Sequence, residues 1–268
     1  MEYLQEIKLW NGTAPFAEDT DAVKKECFTP DKGDGIKRIT DVTEPSITFY
    51  PASGTGPKPA VLVCPGGAYT ILAWNHEGRD ICSLLNLNGF SAFLLKYRCP
   101  GRRAAAHADA ARAMRLIRAN AAEFGIIPDK VGIIGFSAGG HLSATMCAPA
   151  DPIPYPAVDA ADEFSYRPDF AALIYPAYLV NDVTWEINPE FNITANTPPT
   201  FIVQAENDMV PVENTLIWYR ALKNAGVPAE MHLYDDGGHG YSLLRTGNPI
   251  SNWGALAGDW FRRQADLP

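Results

Sequence analysis

The sequence predicts an α/β fold: a mostly parallel, doubly wound sheet with helices on both faces and an antiparallel edge on its N-terminal side. Three observations predict it. From Pro59 onward, short apolar runs alternate strictly with segments of helical period. The runs, such as PAVLVC and VGIIGF, are continuously apolar, as expected of strands buried on both faces. A chain of 268 residues, 47% apolar and 20% charged, has enough apolar material for one large domain spanning residues 1–268.

The elements follow in order. Residues 1–35 are rich in Pro, Gly, Asp and Thr and hold no period, so they read as an irregular arm. RITDVTEPSITFY gives two β-rich runs split at Glu44-Pro45, an edge hairpin or two successive edge strands. PAVLVC is a buried strand that ends in the loop Pro65-Gly66-Gly67-Ala68-Tyr69. HEGRDICSLLNLNG reads as a helix stopped at Gly89, SAFLLKYR as a strand, and HADAARAMRLIRANAAEFG as one long alanine-rich helix. KVGIIGFS is the next strand, and a helix follows it. An excursion at about 149–169 precedes the strand FAALIYP, and a second at about 177–199 precedes TFIVQAEN. PVENTLIWYRALKNAG, AEMHLYDD and WGALAGDWFRRQ then read as helix, strand and closing amphipathic helix.

Chemistry concentrates in VGIIGFSAGGH. A strand runs into Gly-Phe-Ser-Ala-Gly, the pattern of a nucleophile elbow, in which small residues relieve crowding and leave the Ser137 hydroxyl exposed at a helix N-terminus. A serine hydroxyl is a weak nucleophile, so it needs a histidine to take its proton and an acid to orient that histidine. In open α/β sheets both belong just beyond strand carboxyl ends. Asp208 follows TFIVQAEN, and His239 follows AEMHLYDD within Gly-Gly-His-Gly. The order Ser137, Asp208, His239 is that of α/β hydrolases and differs from the chymotrypsin-like and subtilisin-like orders. The backbone N–H groups of Gly67, Ala68 and Ala138 are the candidate oxyanion donors.

Each assignment has a plainer rival. Ser137 suits an ordinary helix N-cap, and Asp208 suits an Asx-turn, with Glu206, Asp235 and Asp236 also near strand ends. Among the other histidines, His141 lies inside the helix after the elbow, His232 inside a strand, and His107 at a helix start, all structural placements. His76, in the neighbourhood of the glycine loop, is a candidate substrate contact, with a surface position the plainer reading. The CPGGAY loop also reads as a plain tight turn.

A net charge of -9 without a basic cluster beyond helical arginines argues against nucleic acid or an anionic membrane as partner. The N-terminal MEYLQEIKLW carries no apolar run, and no segment is long and apolar enough to span a bilayer. Cys27, Cys64, Cys82, Cys99 and Cys147 are odd in number and widely spaced, which suits reduced thiols and a cytoplasmic location. No spacing of metal ligands occurs, so neither metal nor other cofactor is expected.

With GFSAGGH, CPGGAY, NDMVPVEN and GGHGYSL in place, the chain resembles the α/β-hydrolase superfamily over nearly its whole length. Within it the chain is most similar to bacterial acetylxylan esterases and BD-FAE-like feruloyl esterases. That resemblance implies an α/β-hydrolase fold, a Ser-His-Asp triad on Ser137, His239 and Asp208, no metal, and an acyl-enzyme intermediate. Pro65 and Ala68 depart from the His-Gly-Gly-Gly loop of lipase-like relatives while keeping a backbone N–H available at Ala68. The implied substrate is a small acylated carbohydrate, acetylated xylose or a xylo-oligosaccharide, with Tyr69, Trp74 and Trp185 as candidate sugar-stacking residues. A feruloyl ester is the nearest alternative. A prolyl-oligopeptidase-type peptidase and a catalytically silent binding protein are the more distant ones. The sequence sets no oligomeric state.

Overall fold

The computed structural model describes residues 5–18, 21, 24–152 and 155–267. Parts of the N-terminal arm (1–4, 19–20, 22–23) and of the first excursion (153–154) lie outside the described residues. The strands are β1 (Gln5–Lys8), β2 (Cys27–Phe28), β3 (Arg38–Thr40), β4 (Ser46–Tyr50), β5 (Lys58–Cys64), β6 (Leu72–Ala73), β7 (Ser91–Lys96), β8 (Ile126–Phe136), β9 (Ala171–Ile174), β10 (Thr200–Ala205) and β11 (Ala229–Tyr234). The α-helices are α1 (Asp80–Leu87), α2 (Arg103–Ala119), α3 (Ala121–Phe124), α4 (Ala138–Cys147), α5 (Glu213–Asn224) and α6 (Trp253–Gln264).

Among the described residues, eight strands form the main sheet in the order β1-β4-β7-β5-β8-β9-β10-β11. The β1–β4 and β4–β7 pairs are antiparallel, and every pair from β7 to β11 is parallel. The chain leaves β5 for β7 on one side and returns to β8 on the other. That reversal creates a crevice beyond the carboxyl ends of β5 and β8, where open α/β sheets hold ligands.

Period-two alternation divides the core. Ala60, Leu62, Phe93, Leu95, Val131 and Ile133 face the layer that contains α2 and α4. Val61, Val63, Ala92, Leu94, Ile134 and Phe136 face α1 and α6. Both faces are covered, which is why these strands carry no polar alternation. On the sheet-facing side of α2, Ala106, Ala110 and Ala113 are fully buried and let that helix approach the sheet closely. On the far side, Trp218 and Leu222 of α5 pack with Leu173 and Ile202.

Four sequence expectations need correction. Residues 36–50 form no hairpin. β3 pairs instead with β2 and β6 in a small separate sheet, while β4 joins the main one. The left-handed Asp41 (φ 54°) redirects the chain, and Pro45, lacking an N–H, cannot donate to a ladder. The arm is not wholly irregular, because Gln5–Lys8 extends the sheet on β4 and Ser46 Oγ donates to Glu6 Oε1 at 2.6 Å. Beyond it, Trp10 Nε1 donates to the buried carboxylate of Asp109 at 2.8 Å, and Arg98 saturates the same carboxylate. The long alanine-rich helix starts at Arg103 and breaks at Asn120, whose backbone leaves helical values and whose Nδ2 donates to the Leu116 carbonyl at 2.8 Å. His107 therefore lies inside α2, half-buried, rather than at a helix start.

Candidate active site

The elbow is built by close backbone approach. A Cβ at Gly135 would overlap the Gly139 carbonyl oxygen, and one at Gly139 would overlap the carbonyl oxygens of Cys64 and Pro65. Only hydrogen fits at either position, so β8 can turn into α4 directly beside the end of β5. Ser137 sits at the turn with φ 52° and ψ −117°, a sparsely populated conformation for a residue with a side chain. Its N–H donates to the Ile174 carbonyl at 3.0 Å, and its own carbonyl accepts from His141 and Ala177 at 3.1 and 3.2 Å. These bonds over-determine the strained residue.

By backbone position Ser137 is the N-cap of α4, yet its hydroxyl makes no cap hydrogen bond. The hydroxyl lies 2.9 Å from His239 Nε2. His239 Nδ1 in turn lies 2.8 Å from Asp208 Oδ1 and 2.9 Å from Oδ2. Because a carboxylate only accepts, Nδ1 carries the proton. Nε2 is left as the acceptor for the serine hydroxyl.

Asp208 follows β10 and combines two roles that look exclusive in sequence. Its Oδ1 accepts from the Val210 N–H at 2.8 Å, which is an Asx-turn, while both oxygens face the imidazole. The Asp208 side chain is fully buried, and that of His239 is 22% exposed. Glu206, Asp235 and Asp236 are exposed, and Asp236 is engaged with Asn207 and Asn248. Asn207 is a residue that sequence reasoning missed. Its Oδ1 accepts from the N–H groups of Gly237 and Gly238 at 3.1 and 2.8 Å, tying the loop of Asp208 to the loop of His239.

The loop after β5 runs through three consecutive positive φ values, at Gly67 (134°), Ala68 (54°) and Tyr69 (56°). Thr70 and Ile71 donate back to the Gly67 carbonyl and close the turn. Ala138 begins α4, so its N–H has no acceptor within the helix. Gly67, Ala68 and Ser137 line one cavity of about 540 Å³ together with His76, Glu77, His239 and Gly240. Ile71, Met209, Val210 and Pro211 give the cavity apolar wall, while Arg38, Asp182 and Asn214 add polar groups.

His76 is buried, against the surface placement expected from sequence. Its Nε2 donates to the Gly240 carbonyl at 2.7 Å, which leaves Nδ1 as an acceptor in a ring that lines the cavity. The signal was weak because the turn Asn75–Arg79 that carries it is π-helical and shows no 3.6-residue period.

Of the three candidate stacking residues, none lines the cavity. Tyr69 is buried behind it: its hydroxyl donates to His141 Nδ1 at 2.7 Å, and His141 Nε2 donates to Glu190. Trp74 packs against both main core clusters. Trp185 is 41% exposed on the second excursion. The aromatic residue on the cavity wall is Tyr178, with the Arg103 guanidinium over its ring at 4.4 Å. Among the described residues, no group of three or more His, Cys, Asp or Glu is arranged to hold a metal, and no helix is long and apolar enough to cross a membrane.

Comparison with known proteins agrees with this architecture. Residues 48–152 match the BD-FAE family model. The chain is 29% identical over 222 residues to an acetylxylan esterase of Xylanibacter ruminicola, covering 74% of this chain and 43% of that protein. It is 30% identical over 224 residues to endo-1,4-beta-xylanase B of Butyrivibrio fibrisolvens, covering 74% and 35%. The chain thus spans less than half the length of these curated relatives. The crystal structure of an acetyl ester-xyloside bifunctional hydrolase from Caldicellulosiruptor lactoaceticus superimposes with a TM-score of 0.79 at 29% identity, covering 98% of this chain and 97% of that one. Sheet order, elbow and comparisons together make the chain a member of the α/β-hydrolase superfamily that resembles its acetylxylan-esterase and BD-FAE-like members.

Proposed function

We propose that the protein is a serine carboxylic-ester hydrolase, one catalytic domain spanning the chain, that removes acetyl groups from acetylated xylose, xylo-oligosaccharides or related sugars. The observation that carries this reading is the hydrogen-bonded chain from Ser137 Oγ through His239 to Asp208 at the wall of an open cavity. Ser137 Oγ attacks the ester carbonyl carbon while His239 Nε2 takes its proton, and Asp208 stabilises the resulting imidazolium. The tetrahedral oxyanion is held by the N–H groups of Gly67, Ala68 and Ala138. His239 then returns the proton to the leaving sugar oxygen, and acetate stays on Ser137 as an ester. A water deprotonated by the same imidazole attacks that ester and releases acetate and free Ser137.

The substrate class is supported by the names of the relatives and by the mixed wall of the cavity. His76 Nδ1, Arg38 and Asp182 offer acceptors and donors to sugar hydroxyls, beside the apolar Ile71, Val210 and Pro211. The same apolar wall and the volume of about 540 Å³ favour a feruloyl ester as the second reading.

The test is acetate release from acetylated xylose and xylo-oligosaccharides, with methyl ferulate alongside, by wild type and Ser137→Ala. Wild-type release from the acetylated sugars, abolished in Ser137→Ala, is the expected result. Faster turnover of methyl ferulate would replace the acetyl reading. Equal turnover by the two proteins would remove Ser137 from the reaction.

A further inference from the structure

Glu77 is a buried carboxylate, 4% exposed, for which proton transfer between Ser137 and His239 has no use. It stands on the turn Asn75–Arg79 between β6 and α1, and its two oxygens are divided between two elements of the site. Oε2 accepts from the Gly66 N–H at 2.8 Å, and Oε1 accepts from the Tyr175 hydroxyl at 2.8 Å. Gly66 immediately precedes the candidate donors Gly67 and Ala68. Tyr175 immediately follows β9, and its ring meets that of His239 edge-on, with centroids 5.0 Å apart.

The packing is tight enough to transmit position. A Cβ on Gly66 would run into both Glu77 Oε2 and the Cβ of Ser137, so carboxylate, loop and serine meet at one point. Tyr175 is itself fully buried and also meets the ring of Tyr241 edge-on, at 4.6 Å between centroids. Burial pushes the Glu77 carboxyl above the usual carboxylate range, opposed by its bonds to Tyr175 and Gly66 and by the nearby His76 and His239. A buried acid is unfavourable for folding unless its bonds compensate. A site that only needed a closed loop would be served by an apolar side chain.

The geometry points to Glu77 as a positioning residue that fixes the loop bearing Gly67 and Ala68 relative to the imidazole of His239. The carboxylate grips the loop through Gly66 and the imidazole's neighbour through Tyr175, so donors and base keep one mutual geometry as charge develops on the substrate oxygen. This role rests on the reading of Ser137, His239 and Asp208 given above.

The experiment measures kcat and KM on p-nitrophenyl acetate, and affinity for phenylboronic acid, whose tetrahedral adduct on the serine mimics the transition state. Wild type, Ser137→Ala, Glu77→Ala, Glu77→Gln and Tyr175→Phe are compared. Displacing donors without deleting them is expected to lower kcat roughly a hundredfold in Glu77→Ala with KM nearly constant, and to weaken boronate binding in the same proportion. Glu77→Gln keeps an oxygen for the Gly66 N–H and is expected to recover roughly tenfold of both losses, since one oriented hydrogen bond is restored. Tyr175→Phe frees only one end of the carboxylate and is expected to lose roughly fivefold to tenfold in kcat and boronate affinity, a partial misplacement.

A change confined to KM, or a fall in kcat without loss of boronate affinity, overturns the role. If Glu77→Ala does not fold, a folded Tyr175→Phe with wild-type kcat and boronate affinity overturns it equally. Lack of turnover by wild type would instead fail the esterase reading itself, so the two failures are distinguishable.

Discussion

Replacing Asp208 by Asn tests the orientation of the imidazole with little change of shape. Asp208 Oδ1 accepts from the Val210 N–H, Oδ2 accepts from Gln204 Nε2 at 3.3 Å, and both oxygens face His239 Nδ1. An asparagine must place its NH₂ at one of these positions. Keeping oxygen toward Val210, where the bond is 2.8 Å, puts the NH₂ at the Oδ2 position, 2.9 Å from His239 Nδ1, where an acceptor is replaced by a donor. The imidazole then accepts at Nδ1 and carries its proton on Nε2, aimed at Ser137 Oγ, where it can no longer take one. Wrong-tautomer enzymes of this kind lose about 10³- to 10⁴-fold in kcat, or about 4–5.5 kcal/mol of barrier. Asp208 does not line the cavity, so KM should change little. Steady-state kinetics on p-nitrophenyl acetate, with the melting temperature as a folding control, read both quantities. A kcat within about tenfold of wild type, or a loss carried mainly by KM, would refute the assigned role of Asp208.

Two further outcomes follow from the surroundings of the site. Gly135→Ala drives a methyl into the Gly139 carbonyl and Ser143 and is expected to destabilise the fold by about 2–4 kcal/mol in urea unfolding, as overpacking of backbone against backbone does; an unchanged midpoint would mean the elbow relaxes freely. Burial, reinforced by neighbouring His141 and Arg103 and opposed by Glu190, holds His107 down to about 3. Below the ordinary value of 6.5 the unfolded chain therefore binds a proton that the folded chain refuses, and stability falls by about 1.4 kcal/mol per pH unit as pH drops toward 3. His107→Gln should flatten the urea midpoint between pH 6.5 and 4.5, and an unaltered pH slope would contradict the assignment.

What was legible in the sequence is what depends on strands and their immediate successors. PAVLVC, VGIIGF and TFIVQA are long enough and apolar enough to declare themselves, and the residues just beyond them, Gly67, Ser137 and Asp208, are placed by the sheet edge alone. His239 was legible for a related reason, since glycines on both sides mark a loop free to cross that edge. The less visible parts depend on contacts between distant segments. Glu77 meets Tyr175 across 98 positions, and the π-helical turn that aims it has no helical period to announce it. Asn207 reads in the sequence as the end of TFIVQAEN, and its bridging role exists only once the two loops stand side by side. The aromatic residues misled for the opposite reason. Tyr69 and Trp74 flank the right loop, but their apolar area is spent inside the protein, where tertiary packing decides.

The claim on which everything else depends is that Ser137 attacks the substrate. The most direct measurement treats the protein with diethyl p-nitrophenyl phosphate, which phosphorylates an activated serine, and follows activity and peptide mass together. The account predicts loss of esterase activity in step with a diethylphosphoryl adduct on the peptide containing Ser137, and no adduct on that peptide in Ser137→Ala. Inactivation with the adduct on another residue, or an ester-hydrolysing wild type that stays unmodified and active, would contradict it.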